Sequence, residues 1–115
     1  METVTTDVLV VGSGGAGLTA ATVAAIRGLN VILVEKTAVF GGTTAWSGGG
    51  IWVPCNSLAK ATGLHDGVEQ ARAYIKGVIG PTVREDLVDA FLDFSPDMVD
   101  FLQGNTSVKF SLHEG

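Results

Sequence analysis

Gly12-Ser13-Gly14-Gly15-Ala16-Gly17 has the spacing G-x-G-x-x-G, and Glu35 follows about 20 residues on. These residue types can grip a nucleotide diphosphate. Backbone free of side chains can approach the phosphates, the first N–H groups of a following helix point at them, and a carboxylate takes hydroxyl protons from the adjoining ribose. In that scheme Gly12 permits a tight turn, Gly14 opens the main chain to the phosphates, and Gly17 lets helix and strand pack closely. Glu35 is expected to accept from both ribose hydroxyls and to repel a 2′-phosphate. The helix dipole adds only about 0.3–1 kcal/mol at exposed sites, so directed N–H bonds carry most of the attraction. The spacing does not decide between FAD and NAD, and a plain glycine turn in an α/β domain is the bland alternative.

The flanking elements favour the nucleotide reading. Asp7-Val8-Leu9-Val10-Val11 is a continuous aliphatic run, the pattern of a parallel strand buried on both faces. Gly15 to Arg27 is alanine-rich and predicts a helix, with Gly28 as its C-terminal cap. Asn30-Val31-Ile32-Leu33-Val34-Glu35 predicts a second buried strand. Strand, helix and strand in about 30 residues make a βαβ unit, here residues 6–36. The expected fold class is therefore α/β: a Rossmann-like βαβ unit followed by helices.

A second glycine region runs from residue 41 to 54. Gly41-Gly42 and Gly48-Gly49-Gly50 bracket Thr43, Thr44 and Ser47. Such a segment can follow an extended polar ligand closely and offer it N–H and O–H donors. A folded NAD site has no need of this second pass, whereas FAD is longer and carries a flat ring. The segment predicts irregular backbone with one helical turn. The later helical region, 66–103, predicts three helices: one opened by Asp66 with Glu69, one by the box Thr82-x-x-Glu85, and one by Ser95-Pro96. Val108-Lys109-Phe110 predicts a short strand.

From Asp7 to Pro54 the chain resembles the FAD-binding start of the fumarate reductase and succinate dehydrogenase flavoprotein superfamily. Within it, Gly41-Gly42-Thr43-Thr44-Ala45-Trp46-Ser47-Gly48-Gly49-Gly50-Ile51-Trp52-Val53-Pro54 is similar to 3-ketosteroid Δ1-dehydrogenases, and the likeness continues more weakly through Met98-Val99-Asp100-Phe101-Leu102. The resemblance implies that Gly12, Ser13, Gly14, Ala16 and Gly17 hold the pyrophosphate of FAD. It implies that Glu35 and Lys36 hold the adenosine side. Gly42, Thr43, Thr44, Ser47, Gly48 and Gly49 would run along the diphosphate, ribityl chain and flavin edge. Membrane-bound fumarate reductases tether the flavin through a histidine of this second segment. No histidine lies between Lys36 and His65 here, so the resemblance implies noncovalent FAD.

The activity so implied is C1–C2 desaturation of a 3-ketosteroid, with hydride passing to flavin N5 and a quinone or similar acceptor reoxidising the flavin. A fumarate-reductase-like enzyme on a C4 dicarboxylate is one alternative, and a noncatalytic dinucleotide-binding module or fragment is another. The family's enzymes are several times longer, and their catalytic tyrosines fall beyond Gly115. The chain is accordingly expected to be the N-terminal part of the FAD-binding domain, incomplete as a fragment. The substrate domain is expected to be absent and the catalytic residues unassigned. Two strands with open edges make a poor sheet, so the 115-residue chain alone is expected to bind FAD weakly or to associate.

Composition narrows the field further. Apolar residues make up 46% of the chain, enough for a core, and the net charge is −5 with no basic run, which argues against nucleic acid as partner. The acids Glu85, Asp86, Asp89 and Asp93 suggest a solvated helix face. Cys55, the single cysteine, reads as a small buried filler. His65 and His113 lack a ligand spacing, so no metal site is expected. Trp46 and Trp52 are expected to pack rather than stack on a ligand, and Tyr74 matches no catalytic motif. The start lacks a basic n-region, and no run of about 18 apolar residues occurs, so no transmembrane segment and a cytoplasmic location are expected.

Overall fold

The computed structural model describes residues 3–113. The chain forms two compact units, one up to Ile51 and the other from Trp52 onward. In the first unit, strand β1 (Val8–Val11) is followed by helix α1 (Gly15–Ile26) and strand β2 (Val31–Val34). The strands pair in parallel, with Val8 opposite Val31 and Val11 opposite Val34. Parallel neighbours require a crossover connection, and α1 is that crossover.

The end of α1 follows from its sequence. Gly28 N–H reaches Ala25 O at 2.9 Å and Leu29 N–H reaches Ala24 O at 3.2 Å. These two bonds close a Schellman motif around the expected glycine cap. At the other end the helix lies very close to the turn before it. A Cβ added to Gly17 would stand 2.0 Å from the carbonyl oxygen of Gly12.

The sheet departs from expectation in one respect. Val10 is buried, but Leu9 is 59% and Val11 78% exposed. A strand read as covered on both faces is thus covered on one, because α1 lies on only one side of the pair.

The second unit is helical. Helix α2 (Ser57–Ala61) is capped by Asn56, whose side chain accepts from Ala59 N–H at 2.9 Å. Helix α3 (Val68–Ile79) and helix α4 (Glu85–Asn105) flank a 3-10 turn at Gly80–Thr82. Ala71, Val88 and Leu92 form the buried cluster between α3 and α4, with Ile75 and Val83 packed against it. Along α4 the buried positions Val88, Leu92, Ser95, Val99 and Leu102 recur at steps of three and four, one stripe of a helix.

Several local expectations are corrected here. Helix α3 starts from Gly67, whose N–H is taken by Gln70 Oε1 at 2.9 Å. Asp66 does not cap it: its carboxylate accepts from Cys55 N–H at 2.8 Å, and its carbonyl accepts from the buried Cys55 thiol. Thr82 lies in the 3-10 turn and opens no helix. Ser95-Pro96 starts no new helix either, since α4 runs through it unbroken. The buried stripe continues across Pro96, and that packing outweighs the hydrogen bond a proline cannot donate. The Ser95 hydroxyl, expected as a cap, is buried and has no partner among the described residues. Residues 108–110 form no strand; Phe110 N–H bonds to Gln103 Oε1 at 2.8 Å instead.

Of the acidic cluster, Glu85 pairs with Lys76, Asp86 with Arg84, and Asp89 with Arg72, while Asp93 is exposed. Trp52 stacks on Phe91 at 6.1 Å and meets Tyr74 edge-on at 5.4 Å, so it packs within its own unit. Trp46 is 89% exposed. No helix among the described residues is long and apolar enough to cross a membrane.

Candidate functional site: a carboxylate held at a glycine turn

The strand ladder sets the geometry of the site. Beyond Val11, Gly12 N–H continues the pairing to Val34 O at 2.8 Å. Gly12 then turns the chain at φ +98°, a left-handed value that favours glycine. The turn delivers Ser13, fully buried, beside Glu35 at the end of β2. Ser13 N–H donates to Glu35 Oε2 at 3.0 Å, and Ser13 Oγ donates to the same oxygen at 2.5 Å. The other oxygen, Oε1, accepts from Thr37 N–H at 3.0 Å. Thr37 Oγ1 lies 3.2 Å from Oε1 but only 2.6 Å from Val39 O, where its single proton is better placed.

The second glycine segment folds back onto this turn. Gly41 N–H donates to Ser13 Oγ at 2.9 Å, so that hydroxyl joins three stretches of chain. Gly42 opens a 3-10 turn (Gly42–Trp46) and approaches Gly14 so closely that its added Cβ would stand 3.3 Å from Gly14 Cα. Thr44 Oγ1 accepts from Gly15 N–H at 2.9 Å. Thr37, Val39, Gly42, Thr43 and Trp46 line an adjoining hollow of about 360 Å³.

The structure thus brings Gly12, Ser13, Gly14, Glu35, Gly42 and Thr44 together, with Gly17 seating the helix beneath them. Ala16 lies exposed in the first turn of α1, where helix amides lack intrahelical partners. Lys36 and Thr43 are exposed. Ser47 turns inward on its own loop, donating to Thr44 O at 2.8 Å and accepting from Gly49 N–H at 3.1 Å; Gly48 and Gly49 are exposed beside it.

Two details differ from the sequence expectation. The amide of Gly15, one of those expected to face an anion, is used by Thr44. Glu35 has about four acceptor positions, of which Ser13 fills two and the Thr37 amide one. The Thr37 hydroxyl lies near the remaining position on Oε1, so most of the carboxylate's acceptor capacity is taken up within the chain. Thr37 and Gly41 were not among the expected site residues. The signal for Thr37 was a hydroxyl residue two positions after the acid, a spacing that favours a side-chain-to-backbone turn.

The site fits an extended dinucleotide. A Cβ at Gly14 would have nothing nearer than Thr44 Oγ1 at 4.0 Å, so the main chain there faces open space. That open backbone, the first-turn amides of α1 and the ionised Glu35 are the donor and acceptor set a pyrophosphate and its ribose require.

Hydrogen bonds from the Ser13 hydroxyl, then the Ser13 amide and the Thr37 amide, hold the Glu35 carboxyl down at about 2, against an ordinary value of 4.5. A depressed folded-state value stabilises the fold above pH 4.5, and the contribution fades as pH falls toward 2. We expect urea midpoints of the protein to drop across that window. Glu85 and Asp86 are also held low, by Lys76 and Arg84 respectively, and add their own acid dependence. The contribution of Glu35 is therefore the difference from Glu35→Gln, and equal acid slopes in both proteins would refute it.

Residues 7–115 match the family described as FAD binding domain. The chain is similar to a 3-oxosteroid 1-dehydrogenase of Mycobacterium tuberculosis, with 48% identity over 90% of this chain and 18% of that protein. It is 47% identical to a 4-oxocyclohex-2-ene-1-carboxylate 5-dehydrogenase of Sinomonas cyclohexanicum, over 95% of this chain and 18% of that one. Among solved structures it resembles the 3-ketosteroid delta1-dehydrogenase of Sterolibacterium denitrificans in complex with 1,4-androstadiene-3,17-dione. That match has a TM-score of 0.78 and 40% identity over 91% of this chain and 18% of that one. The chain therefore spans roughly a fifth of the length of these relatives.

Proposed function

The chain belongs to the FAD-binding-domain family, and from that premise we propose that it is the cofactor-holding segment of a dehydrogenase that desaturates a 3-ketosteroid between C1 and C2. The observation that carries the nucleotide part is the ionised Glu35 fixed against the open glycine turn by Ser13. In this reading Gly12, Gly14, Ala16 and Gly17 receive the pyrophosphate, and Glu35 and Lys36 the adenosine side. Gly42, Thr43, Thr44, Ser47, Gly48 and Gly49 follow the rest of the cofactor toward its ring. When bound, the flavin supplies the hydride acceptor; this segment orients it, and no catalytic residue is assigned to it. The substrate class rests on the likeness to the steroid dehydrogenases. The Sinomonas relative, by its name, acts on a compound with a ring ketone. A cyclic ketone is the chemistry common to both names. We assign the flavin a noncovalent attachment, a quinone-type electron acceptor and a cytoplasmic setting.

The test uses the native-length protein. It is expected to be yellow, to release its flavin into the filtrate on denaturation, and to convert a 3-keto-4-ene steroid to its 1,4-diene when a reducible dye is present. Flavin that stays with the denatured chain would overturn the noncovalent attachment. A yellow protein that leaves 3-ketosteroids untouched but reduces a C4 dicarboxylate would overturn the substrate class.

A further inference from the structure

Ser13 occupies the variable position of the G-x-G-x-x-G turn, where the sequence reading gave it to the pyrophosphate. Its side chain does something else. It is fully buried, and its hydroxyl is committed on both sides: it donates to Glu35 Oε2 at 2.5 Å and accepts from Gly41 N–H at 2.9 Å. A hydroxyl has one proton, and here that proton is spent on the carboxylate. None remains for a phosphate oxygen.

We propose that Ser13 is a positioning residue whose buried hydroxyl fixes the Glu35 carboxylate and the Gly41-Gly42 segment as one unit, setting the ribose acceptor and the second glycine segment together. The proposal rests on the FAD reading above and deepens it. Three features of the geometry support it. Ser13 loads Oε2 with two donors, which leaves Oε1 as the oxygen that can face a ligand. Removing the hydroxyl would free Glu35 to rotate and would strip Gly41 N–H of its buried acceptor. Gly42, next in the chain, lies so close to Gly14 that an added Cβ would stand 3.3 Å from Gly14 Cα, so movement at Gly41 bears on the phosphate turn.

The groups facing the carboxylate are the amides and hydroxyls of Ser13 and Thr37, and no charged side chain contributes to its depressed pKa. Loss of the Ser13 hydroxyl removes the first of the causes that hold it down, so the carboxyl then protonates at a higher pH.

The test is a double-mutant cycle on the native-length protein, read by flavin fluorescence as FAD is released and rebound. Ser13→Ala is expected to weaken FAD binding about tenfold at neutral pH, the scale of one hydrogen bond to a charged group. It should also move the acid limb of FAD retention upward. In a Glu35→Ala background the same change is expected to cost clearly less, because the part that acts through the carboxylate is already gone and only the Gly41 tether remains to be lost. An equal cost in both backgrounds would mean that Ser13 does not act through Glu35, and would overturn the proposal. So would an unmoved acid limb. Should Ser13→Ala fail to fold, Ser13→Cys keeps a weak donor in nearly the same volume, and the cycle is read in the same way. A wild-type protein that binds no FAD would instead refute the nucleotide reading, so the two failures are distinct.

Discussion

Gly17→Ala is expected to destabilise the protein by about 3 kcal/mol or more, the upper end for forced overpacking, and to give material largely without flavin. The added Cβ would stand 2.0 Å from Gly12 O and 3.0 Å from Gly12 C. Both are backbone atoms, so no rotamer change relieves the collision. Helix α1 would have to move off the turn, and the strand ladder that continues through Gly12 N–H to Val34 O would go with it. Gly50→Ala is the control. A Cβ there meets nothing within 4 Å, and its thermal midpoint should stay within about 2 °C of wild type. A Gly17→Ala midpoint equally close to wild type would show that the helix does not rest on the turn as described.

Gly14→Val is expected to do the reverse: to leave the fold intact and abolish the yellow colour. Gly14 has φ −69° and ψ −179°, extended backbone that valine adopts readily. The space its side chain would enter is open within the chain, with only Thr44 Oγ1 at 4.0 Å. In the proposed complex that same space belongs to the phosphates. Losing two charge-assisted backbone contacts should weaken FAD binding at least about 100-fold. Circular dichroism, and the thermal midpoint compared with that of flavin-free wild type, should change little, while the flavin absorbance of the purified protein disappears. A folded, fully yellow Gly14→Val protein would move the pyrophosphate elsewhere. Together the two substitutions separate a glycine needed by the chain from a glycine needed by the ligand.

The βαβ unit was legible because each of its signals is local. The aliphatic runs at residues 7–11 and 30–35, the alanine-rich stretch between them and the glycine after it each specify one element, and the structure places strands at Val8–Val11 and Val31–Val34 around α1. Glu35 was legible as an acid at the right distance from the turn. Its loading was not. That Ser13 and Thr37 would use up most of its acceptor capacity depends on the turn folding over β2, which no spacing rule reports. Thr44 was read as a ligand contact, yet its hydroxyl spans 29 residues of sequence to meet Gly15 N–H. Helix starts failed for a related reason. Thr82, Ser95 and Asp66 have the chemistry of caps, but the packing of the Val88–Leu102 stripe carried α4 through Ser95-Pro96, and Asp66 was drawn to Cys55. Local capping energies are small beside the burial of such a stripe.

The parallel ladder also acts as a ruler. Side chains alternate faces along a strand, so one residue gained or lost between Val31 and Glu35 would turn the carboxylate to the opposite side of the sheet. In the proposed complex, exchange of the side chain at position 35 would alter which sugar is accepted, whereas a change of length within the ladder would remove the carboxylate from the sugar altogether. Evolution toward another nucleotide, or a library built to reach one, therefore has substitutions at this site to work with and no indels inside residues 31–35.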